Sequence, residues 1–220
     1  MQGGKSDRDT LKQDTLNKAY ARRAPVYDVV FGKVFDDGRK ASIEAAERIG
    51  GRILDVGIGT GISLDDFSRE NRIVGVDISE PMLRRARQRV IENNLTHVEC
   101  LSVMDAEKLG FPDASFDVLV AQYVITAVPN PDATLDEFLR VTKPGGEVIL
   151  VNHIGAESGA RYVFERCFAP VARKLGWRPE FQWARIQNWI DRTPSARLLE
   201  RRPMPPMGHF SLIRLRRSAV

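Results

Sequence analysis

This sequence has little of what disulfide-stapled folds and metal centres are built from. It contains two cysteines, Cys100 and Cys167, and three histidines among 220 residues. Two cysteines are too few for a disulfide framework, and the sequence shows no metal-ligand spacing. We therefore expect no disulfide, no bound metal and a reducing, cytoplasmic environment.

Long apolar runs are missing as well. No stretch approaches the roughly 18–20 residues that span a bilayer. The first eight residues lead into no apolar h-region, so we expect no signal peptide. Hydrophobic residues still make up 43% of the 220 residues. That is enough for a full core in a chain with the length of one domain.

What the chain does have is a glycine-rich turn after an apolar run. Residues 52–61 read Arg-Ile-Leu-Asp-Val-Gly-Ile-Gly-Thr-Gly. The pattern predicts a buried strand that enters a turn close to a ligand, because a Cβ would obstruct both the turn and the ligand. A second apolar run ends at Asp77, twenty residues after Gly57. An acid at that distance is placed to accept hydrogen bonds from the ribose of a nucleoside-bearing cofactor.

The glycine spacing indicates which cofactor this is. A dinucleotide fingerprint, G-x-G-x-x-G, would have its third glycine at position 62, which is Ile62. The G-x-G-x-G run, preceded by Asp55, resembles motif I of the class I S-adenosylmethionine (SAM) methyltransferases. SAM has no pyrophosphate and so requires no phosphate-cradling helix start. The resemblance therefore implies SAM as the cofactor.

Strand-like and helical patterns alternate along the chain. The β-α-β order predicts an α/β fold, a Rossmann-like parallel sheet with helices on both faces. Two late strands joined by a proline-rich connection predict a C-terminal antiparallel hairpin, as in the seven-stranded methyltransferases. Ligands bind at the carboxyl ends of such strands, so one edge should hold Gly57, Asp77, Asp105, Gln122 and His153. Beyond the first two strands, we predict strands at 97–101, 116–122, 148–151, 196–201 and 210–216, with helices at 80–93 and 132–141.

Two segments fall outside the predicted sheet, one N-terminal and one after strand five. The first mixes basic residues with a large apolar run, and the second carries apolar residues at helical spacing followed by tryptophans. The inserted helix is either core packing or an interfacial helix with arginines at headgroup level, and it would cover the acceptor site. The predicted single domain, 1–220, comprises a membrane or lid segment (1–41), a SAM-binding core (42–154), an acceptor-site insertion (155–192) and a hairpin (193–220).

A closer resemblance rests on segments beyond the cofactor motif. They are Ala24-Pro25-Val26-Tyr27-Asp28, Phe31-Gly32, Gly38-Arg39, the run 122–129, Asn152-His153 and Gly176-Trp177. Together they resemble the bacterial soluble phospholipid N-methyltransferases, which convert phosphatidylethanolamine to phosphatidylcholine with SAM. The resemblance implies successive methylation of that amine and covers most of the chain. Membrane-associated quinone C-methyltransferases of the ubiquinone and menaquinone type have a similar N-terminal block. A function of this type, or as another small-molecule methyltransferase, is the alternative.

The resemblance also implies roles in the cofactor site. Asp55 orients the glycine turn or the amino group of SAM. Asp77 holds the ribose hydroxyls, Ile78 packs on adenine, and Asp105 meets the adenine amino group. The full predicted set is Tyr20, Asp55, Gly57, Gly59, Gly61, Asp77, Ile78, Met104, Asp105, Ala106 and Gln122.

On the acceptor side, a protonated ethanolamine must lose a proton before it can attack a methyl group. His153 is either the base, since imidazole titrates near neutrality, or a ligand of the headgroup. Tyr20 and Tyr27, with Tyr123, either face the cationic groups through cation–π contacts or pack as amphipathic side chains. An arginine of the insertion is predicted to bind the lipid phosphate. The catalytic set is His153, Tyr20 and Tyr27, and the substrate-binding set is Tyr123, Asn152, His153 and Arg185.

Positive charge is concentrated towards the C-terminus. The net charge is +4, and residues 155–220 hold thirteen Lys and Arg against five Asp and Glu. One large class of base N-methyltransferases has Asn/Asp-Pro-Pro-Tyr/Phe after strand four, where this chain has Gln122-Tyr123-Val124-Ile125. We therefore expect a phospholipid partner and no nucleic acid. We expect peripheral binding to the anionic inner face of the cytoplasmic membrane through the N-terminal segment.

Overall fold

The structure, a computed structural model, describes residues 35–155, 181–205 and 208–219. Its strands are β1 (Arg52–Val56), β2 (Arg72–Asp77), β3 (Val98–Val103), β4 (Phe116–Gln122), β5 (Thr142–His153), β6 (Ala196–Met204) and β7 (Phe210–Arg217). They form one sheet in the order β3-β2-β1-β4-β5-β7-β6. The first five strands are parallel, and β7 runs antiparallel to β5 and β6. The predicted seven-stranded, Rossmann-like sheet with its C-terminal hairpin is confirmed.

Helices cover both faces of this sheet. They are α1 (35–47), α2 (Glu80–Glu92), α3 (Pro131–Val141) and α4 (Trp183–Asp191), and a short 3₁₀ helix (Ile62–Asp66) follows the glycine turn. The α3 and α4 helices bury Phe138 and Trp189 against the face that carries Leu150. The α1 helix packs at Gly38 against Val151, which points to the opposite face.

Strand β5 is longer than predicted. The segment 143–146, Lys-Pro-Gly-Gly, has a sequence typical of a turn, but it lies inside the 12-residue strand. The register of pairing between β5 and β4 shifts between Phe116 and Val118, and this shift accommodates the extra residues of the segment. Gly145 has φ +82, and a Cβ on Gly146 would lie 2.5 Å from the Asp117 carbonyl oxygen. Gly145 and Gly146 therefore lie at an irregularity within the strand and not at its start.

Other boundaries moved by a few residues. Strand β3 runs from Val98 to Val103, and the hairpin strands extend to Met204 and Arg217. Helix α2 begins at Glu80, as predicted, ends at Glu92 and has Ser79 at its N-cap position. The Ser79 side chain makes no capping hydrogen bond within the described chain; its backbone N–H donates to Asp77 Oδ1 at 2.8 Å.

Part of the C-terminal positive charge is paired inside the fold. The carboxylate of Glu147, which is 1% exposed, accepts from Arg214 at 2.8 Å and from Arg216 at 2.9 Å. Arg217 donates to three backbone carbonyls, including that of Thr142 at 2.6 Å. A basic count in the sequence therefore overstates the charge that this hairpin presents to an anionic partner.

Candidate active site

The glycine turn after β1 has a backbone that other residues rarely adopt. Gly57, Gly59 and Gly61 have φ values of 73°, 57° and 77°, in the left-handed region. A Cβ on Gly57 would collide with the Val124 side chain. At Gly59, no described atom lies within 4 Å of the position a Cβ would take. The turn thus leaves open space beside Gly59 that a ligand can enter.

Asp77 connects this turn to the end of β2. Its Oδ2 accepts from the Gly59 N–H at 2.8 Å, and its Oδ1 accepts from the Ser79 N–H at 2.8 Å. Burial raises the pKa of the Asp77 carboxyl, although these backbone hydrogen bonds oppose the shift. Each carboxylate oxygen has a second lone pair, so ribose hydroxyls can still donate to it.

Asp55 lies beneath the turn and is fully buried. Its Oδ2 accepts from the Ser63 hydroxyl at 2.7 Å. Burial raises the pKa of Asp55 to about 7, against the effect of the Ser63 hydrogen bond, and the neighbouring charge of Asp77 adds to the rise. A cationic group placed beside this carboxyl would favour its ionised form.

Apolar side chains are exposed at the ends of β2 and β3. Ile78 is 44% exposed and Val103 is 47% exposed. The two strand ends adjoin, because the Met104 N–H donates to the Asp77 carbonyl at 3.0 Å. Val103 was not in the predicted set, although it directly precedes Met104, which was. The remaining predicted residues of this loop are Asp105, which is exposed, and Ala106, which packs partly on the core.

The end of β4 carries two of the predicted residues. Gln122 donates from Nε2 to the Ser42 hydroxyl of α1 at 3.0 Å. Tyr123 has φ +64, which is unusual for a bulky residue; strained backbone conformations of this kind cluster at functional sites. Its N–H donates to the Val151 carbonyl at 2.6 Å, and its ring meets that of Phe210 edge to face, with centroids 5.4 Å apart.

His153 ends β5 within a group of rings. Its ring centroid lies 6.2 Å from that of Phe210, nearly perpendicular, and 5.9 Å from that of His209, with 22° between the planes. His209 and Phe210 were not in the predicted site. They lie here because antiparallel pairing sets Phe210 opposite His153. The sequence feature that could have indicated His209 was its position directly before the last predicted strand.

Asn152 and His153 do not act as a pair, because side chains alternate along a strand. His153 shares the α1 face with Val151, whereas Asn152 shares the α3 and α4 face with Leu150. Asn152 is 0% exposed, and neither of its amide atoms has a hydrogen-bond partner among the described residues. Because Asn152 is fully buried in this layer, the structure does not bring its amide to the face of the sheet on which His153 lies.

Arg185 is engaged within the protein. Its Nε lies 3.4 Å from Asp132 Oδ1, and Arg192 lies 2.8 Å from the other oxygen. Both arginines lower the pKa of the Asp132 carboxyl, with Arg192 the larger influence. A phosphate at Arg185 would have to compete with this carboxylate. Tyr20, Tyr27 and residues 156–180 of the predicted insertion lie outside the described residues.

These features fit SAM better than a dinucleotide. The open space at Gly59 accommodates the ligand backbone, Asp77 offers acceptor oxygens for a ribose, and Ile78 offers an apolar surface for a base. The buried carboxyl of Asp55 suits the ligand's ammonium. On the other side of the turn, His153 and Tyr123 provide polar groups and ring surface for an acceptor.

Comparison with known proteins shows similarity to methyltransferases. The family model of the methyltransferase domain matches residues 54–150. A phosphatidylethanolamine N-methyltransferase of Cereibacter sphaeroides is 37% identical over 207 residues, which are 94% of this chain and 100% of that protein. A ubiquinone/menaquinone biosynthesis C-methyltransferase of Pseudomonas putida is 32% identical over 160 residues, 67% of this chain and 61% of that protein.

A solved structure shares the fold. It is a Haemonchus contortus phosphoethanolamine N-methyltransferase in complex with phosphomonomethylethanolamine and S-adenosylhomocysteine. Its TM-score is 0.71 at 17% identity, and the match covers 93% of this chain and 59% of that one. The similarity to the Cereibacter protein extends along almost the whole chain. The chain therefore belongs to the phosphatidylethanolamine N-methyltransferase family, within the class I SAM-dependent methyltransferases.

Proposed function

We propose that this chain transfers methyl groups from SAM to the amine of phosphatidylethanolamine and its methylated intermediates, giving phosphatidylcholine. The observation that carries the proposal is the 37% identity that spans 100% of the Cereibacter enzyme. Quinone C-methylation is the second candidate, since the Pseudomonas enzyme matches 67% of this chain. The shorter match makes it the weaker of the two.

When bound, SAM supplies an electrophilic methyl group on a sulfonium. In the proposed arrangement Asp77 accepts from the ribose hydroxyls, Ile78 covers one face of the adenine, and Asp55 faces the ammonium. Binding of this kind catalyses mainly by holding the methyl group in line with its acceptor and by excluding water. The rigid turn, fixed by the Gly59–Asp77 hydrogen bond, serves that purpose.

The acceptor side must supply a neutral amine. In the proposal, His153 accepts a proton from the lipid ammonium, and the freed nitrogen lone pair then forms the new C–N bond. The methyl–sulfur bond breaks with its electron pair remaining on sulfur. The Tyr123 ring faces the amine, whose positive charge returns with each methylation, and cation–π attraction holds it.

A lipid methylation assay tests the proposal. Radiolabelled SAM is incubated with the protein and mixed phospholipid vesicles, and the lipid products are separated by chromatography. We expect label in monomethyl, dimethyl and trimethyl ethanolamine lipids. A parallel arm with demethylmenaquinone in the same vesicles is the control. Label in the quinone and none in phospholipid would contradict the proposal and support the second candidate.

The raised pKa of Asp55 leads to a pH-dependent affinity. A ligand ammonium favours the carboxylate, so binding should strengthen as pH rises through about 7, the pKa of Asp55, and weaken below it. We expect the Kd for S-adenosylhomocysteine, measured by calorimetry, to increase by about tenfold per pH unit at most below that value.

Two variants test whether this pH dependence comes from Asp55. Asp55→Asn should flatten most of it while leaving an acceptor for the Ser63 hydroxyl. Ser63→Ala should move the inflection to higher pH, because the Ser63 hydrogen bond lowers the pKa of Asp55. An unchanged profile in Asp55→Asn would show that Asp55 only orients the turn.

Peripheral attachment to an anionic membrane through the N-terminal segment is part of the proposal. No helix in the ranges 35–155, 181–205 and 208–219 is long and apolar enough to cross a bilayer. Arg214, which pairs with Glu147 and has a mostly buried side chain, is less available to lipid. This favours the N-terminal basic residues as the contact. Each Lys or Arg near an anionic surface contributes about 1 kcal/mol and is screened by salt.

Vesicle co-sedimentation tests this attachment with the full chain. We expect binding to rise with the phosphatidylglycerol fraction, to fall with salt, and to weaken in a variant with Lys12, Lys18, Arg22 and Arg23 changed to glutamine. The control variant changes Arg84 and Arg85, which are exposed on α2, and should bind as the wild type does. Equal binding of the N-terminal variant would place the contact elsewhere.

A further inference from the structure

Helix α1 contains a glycine in its interior. Gly38 lies four residues into the described helix and is buried. Glycine disfavours a helix because it loses more backbone freedom than alanine on folding. The φ of Gly38 is not positive, so the backbone conformation does not require glycine. The cost to the helix must therefore be offset by a packing contact that only glycine allows.

The gain is the close approach of another side chain. A Cβ on Gly38 would lie 2.6 Å from the Tyr123 hydroxyl oxygen and 2.7 Å from Val151 Cγ1. Both distances are well below van der Waals contact. The bare Cα of Gly38 therefore forms a notch in α1, and the phenol of Tyr123 is seated in it.

Tyr123 is held in this place from other directions as well. Its backbone is in the left-handed region at φ +64, and its N–H is bonded to the Val151 carbonyl. Phe210 contacts its ring edge to face. Strain of this kind persists only where the surroundings over-determine the conformation. The notch is thus one element of a set of contacts that gives the phenol a single position.

The same helix also contacts the cofactor turn. Arg39 forms an ion pair with Asp66 of the 3₁₀ helix that follows the glycines. Ser42 accepts from Gln122, the residue before Tyr123. Helix α1 therefore contacts both sides of the site, and the phenol seated at Gly38 has a defined position relative to the cofactor turn.

We propose that Gly38 is a positioning residue for methyl transfer: its missing side chain sets where the Tyr123 phenol stands against the acceptor amine. The inference rests on the proposed function and deepens it. An alanine at this position pushes the phenol away while leaving the glycine turn intact. Misplacing a contact group by up to about 1 Å costs as much as 10²-fold in rate.

The test is a double-mutant cycle with Gly38→Ala, Tyr123→Phe and the combination, using phosphatidylethanolamine vesicles and labelled SAM. We expect Gly38→Ala to lower kcat by about tenfold with an unchanged Kd for S-adenosylhomocysteine. Its melting temperature should fall, because the added methyl group overpacks the buried contact with Val151, so the rates are compared well below the unfolding transition. With Tyr123→Phe present, Gly38→Ala should have little further effect, because the nearest remaining ring atom would be 3.7 Å from the new Cβ.

A second double-mutant cycle, which combines Gly38→Ala with Val151→Ala, separates the effect of the Val151 contact from that of the Tyr123 contact. If relief at Val151 restores the rate of Gly38→Ala, or if the loss is the same with and without Tyr123→Phe, the inference is wrong. A wild-type kcat for Gly38→Ala would also overturn it. A wild-type protein that methylates no phosphatidylethanolamine contradicts the proposed function, and the inference with it, before any variant is compared.

Discussion

Replacing His153 with alanine should lower the kcat of lipid methylation by about 10²-fold or more, the range typical of general acid–base catalysis. The Kd for S-adenosylhomocysteine should stay nearly unchanged, because His153 ends β5 and lies apart from the glycine turn after β1. Steady-state rates on vesicles, with calorimetry for the ligand, provide both measurements. A loss confined to kcat assigns His153 to the acceptor chemistry.

His153→Gln distinguishes the two roles proposed for this residue. Glutamine keeps a hydrogen-bonding side chain but cannot take up a proton near neutrality. If it restores the wild-type rate, His153 is a headgroup ligand. If it is as slow as alanine, His153 is the base. A His153→Ala protein with wild-type rates from pH 6 to 9 would remove His153 from both roles.

Replacing Asp77 with alanine should weaken S-adenosylhomocysteine binding by about 2–3 kcal/mol, roughly 30- to 150-fold. The change removes the ribose acceptor and leaves the Gly59 and Ser79 N–H groups without the carboxylate oxygens that they donate to. The glycine turn loses an anchor at the same time. Calorimetry on the purified variant provides the measurement.

Asp77→Asn is the matched control. It retains one acceptor oxygen, so one of the two backbone hydrogen bonds survives, and its affinity should fall between those of wild type and Asp77→Ala. Circular dichroism and thermal melting establish that both variants are folded. A folded Asp77→Ala protein with unchanged affinity would remove Asp77 from the ribose role.

The cofactor half of the site was predictable because its signals are local. Positive φ at Gly57, Gly59 and Gly61 is a property of single residues in one turn. The spacing to Asp77 follows from one strand, one turn and the next strand. Because strands alternate with helices along the chain, the strands are expected to form a parallel sheet whose two faces are buried by the helices. The order of the elements and the place of the acid needed no knowledge of distant contacts.

The acceptor half was less predictable because it depends on pairing between distant segments. Phe210 and His209 reach His153 only through the register of β7 on β5. Asn152 follows the same strand as His153, yet it faces the other layer. The register and the helices on each face decide which layer a residue meets. The Gly38-Arg39 segment contributed to the family resemblance, but it did not indicate that Gly38 would receive the phenol of Tyr123.

Charge is the clearest case of a property that counting alone misjudged. The sequence alone determined that the last third is basic. Only the tertiary structure decided that Glu147 would take up Arg214 and Arg216 across 67 and 69 residues. Local backbone preferences and strand order are written in short stretches of sequence. The partners of a charged side chain are set by packing. A buried charge is costly unless it is paired, and the fold decides which opposite charge lies within reach.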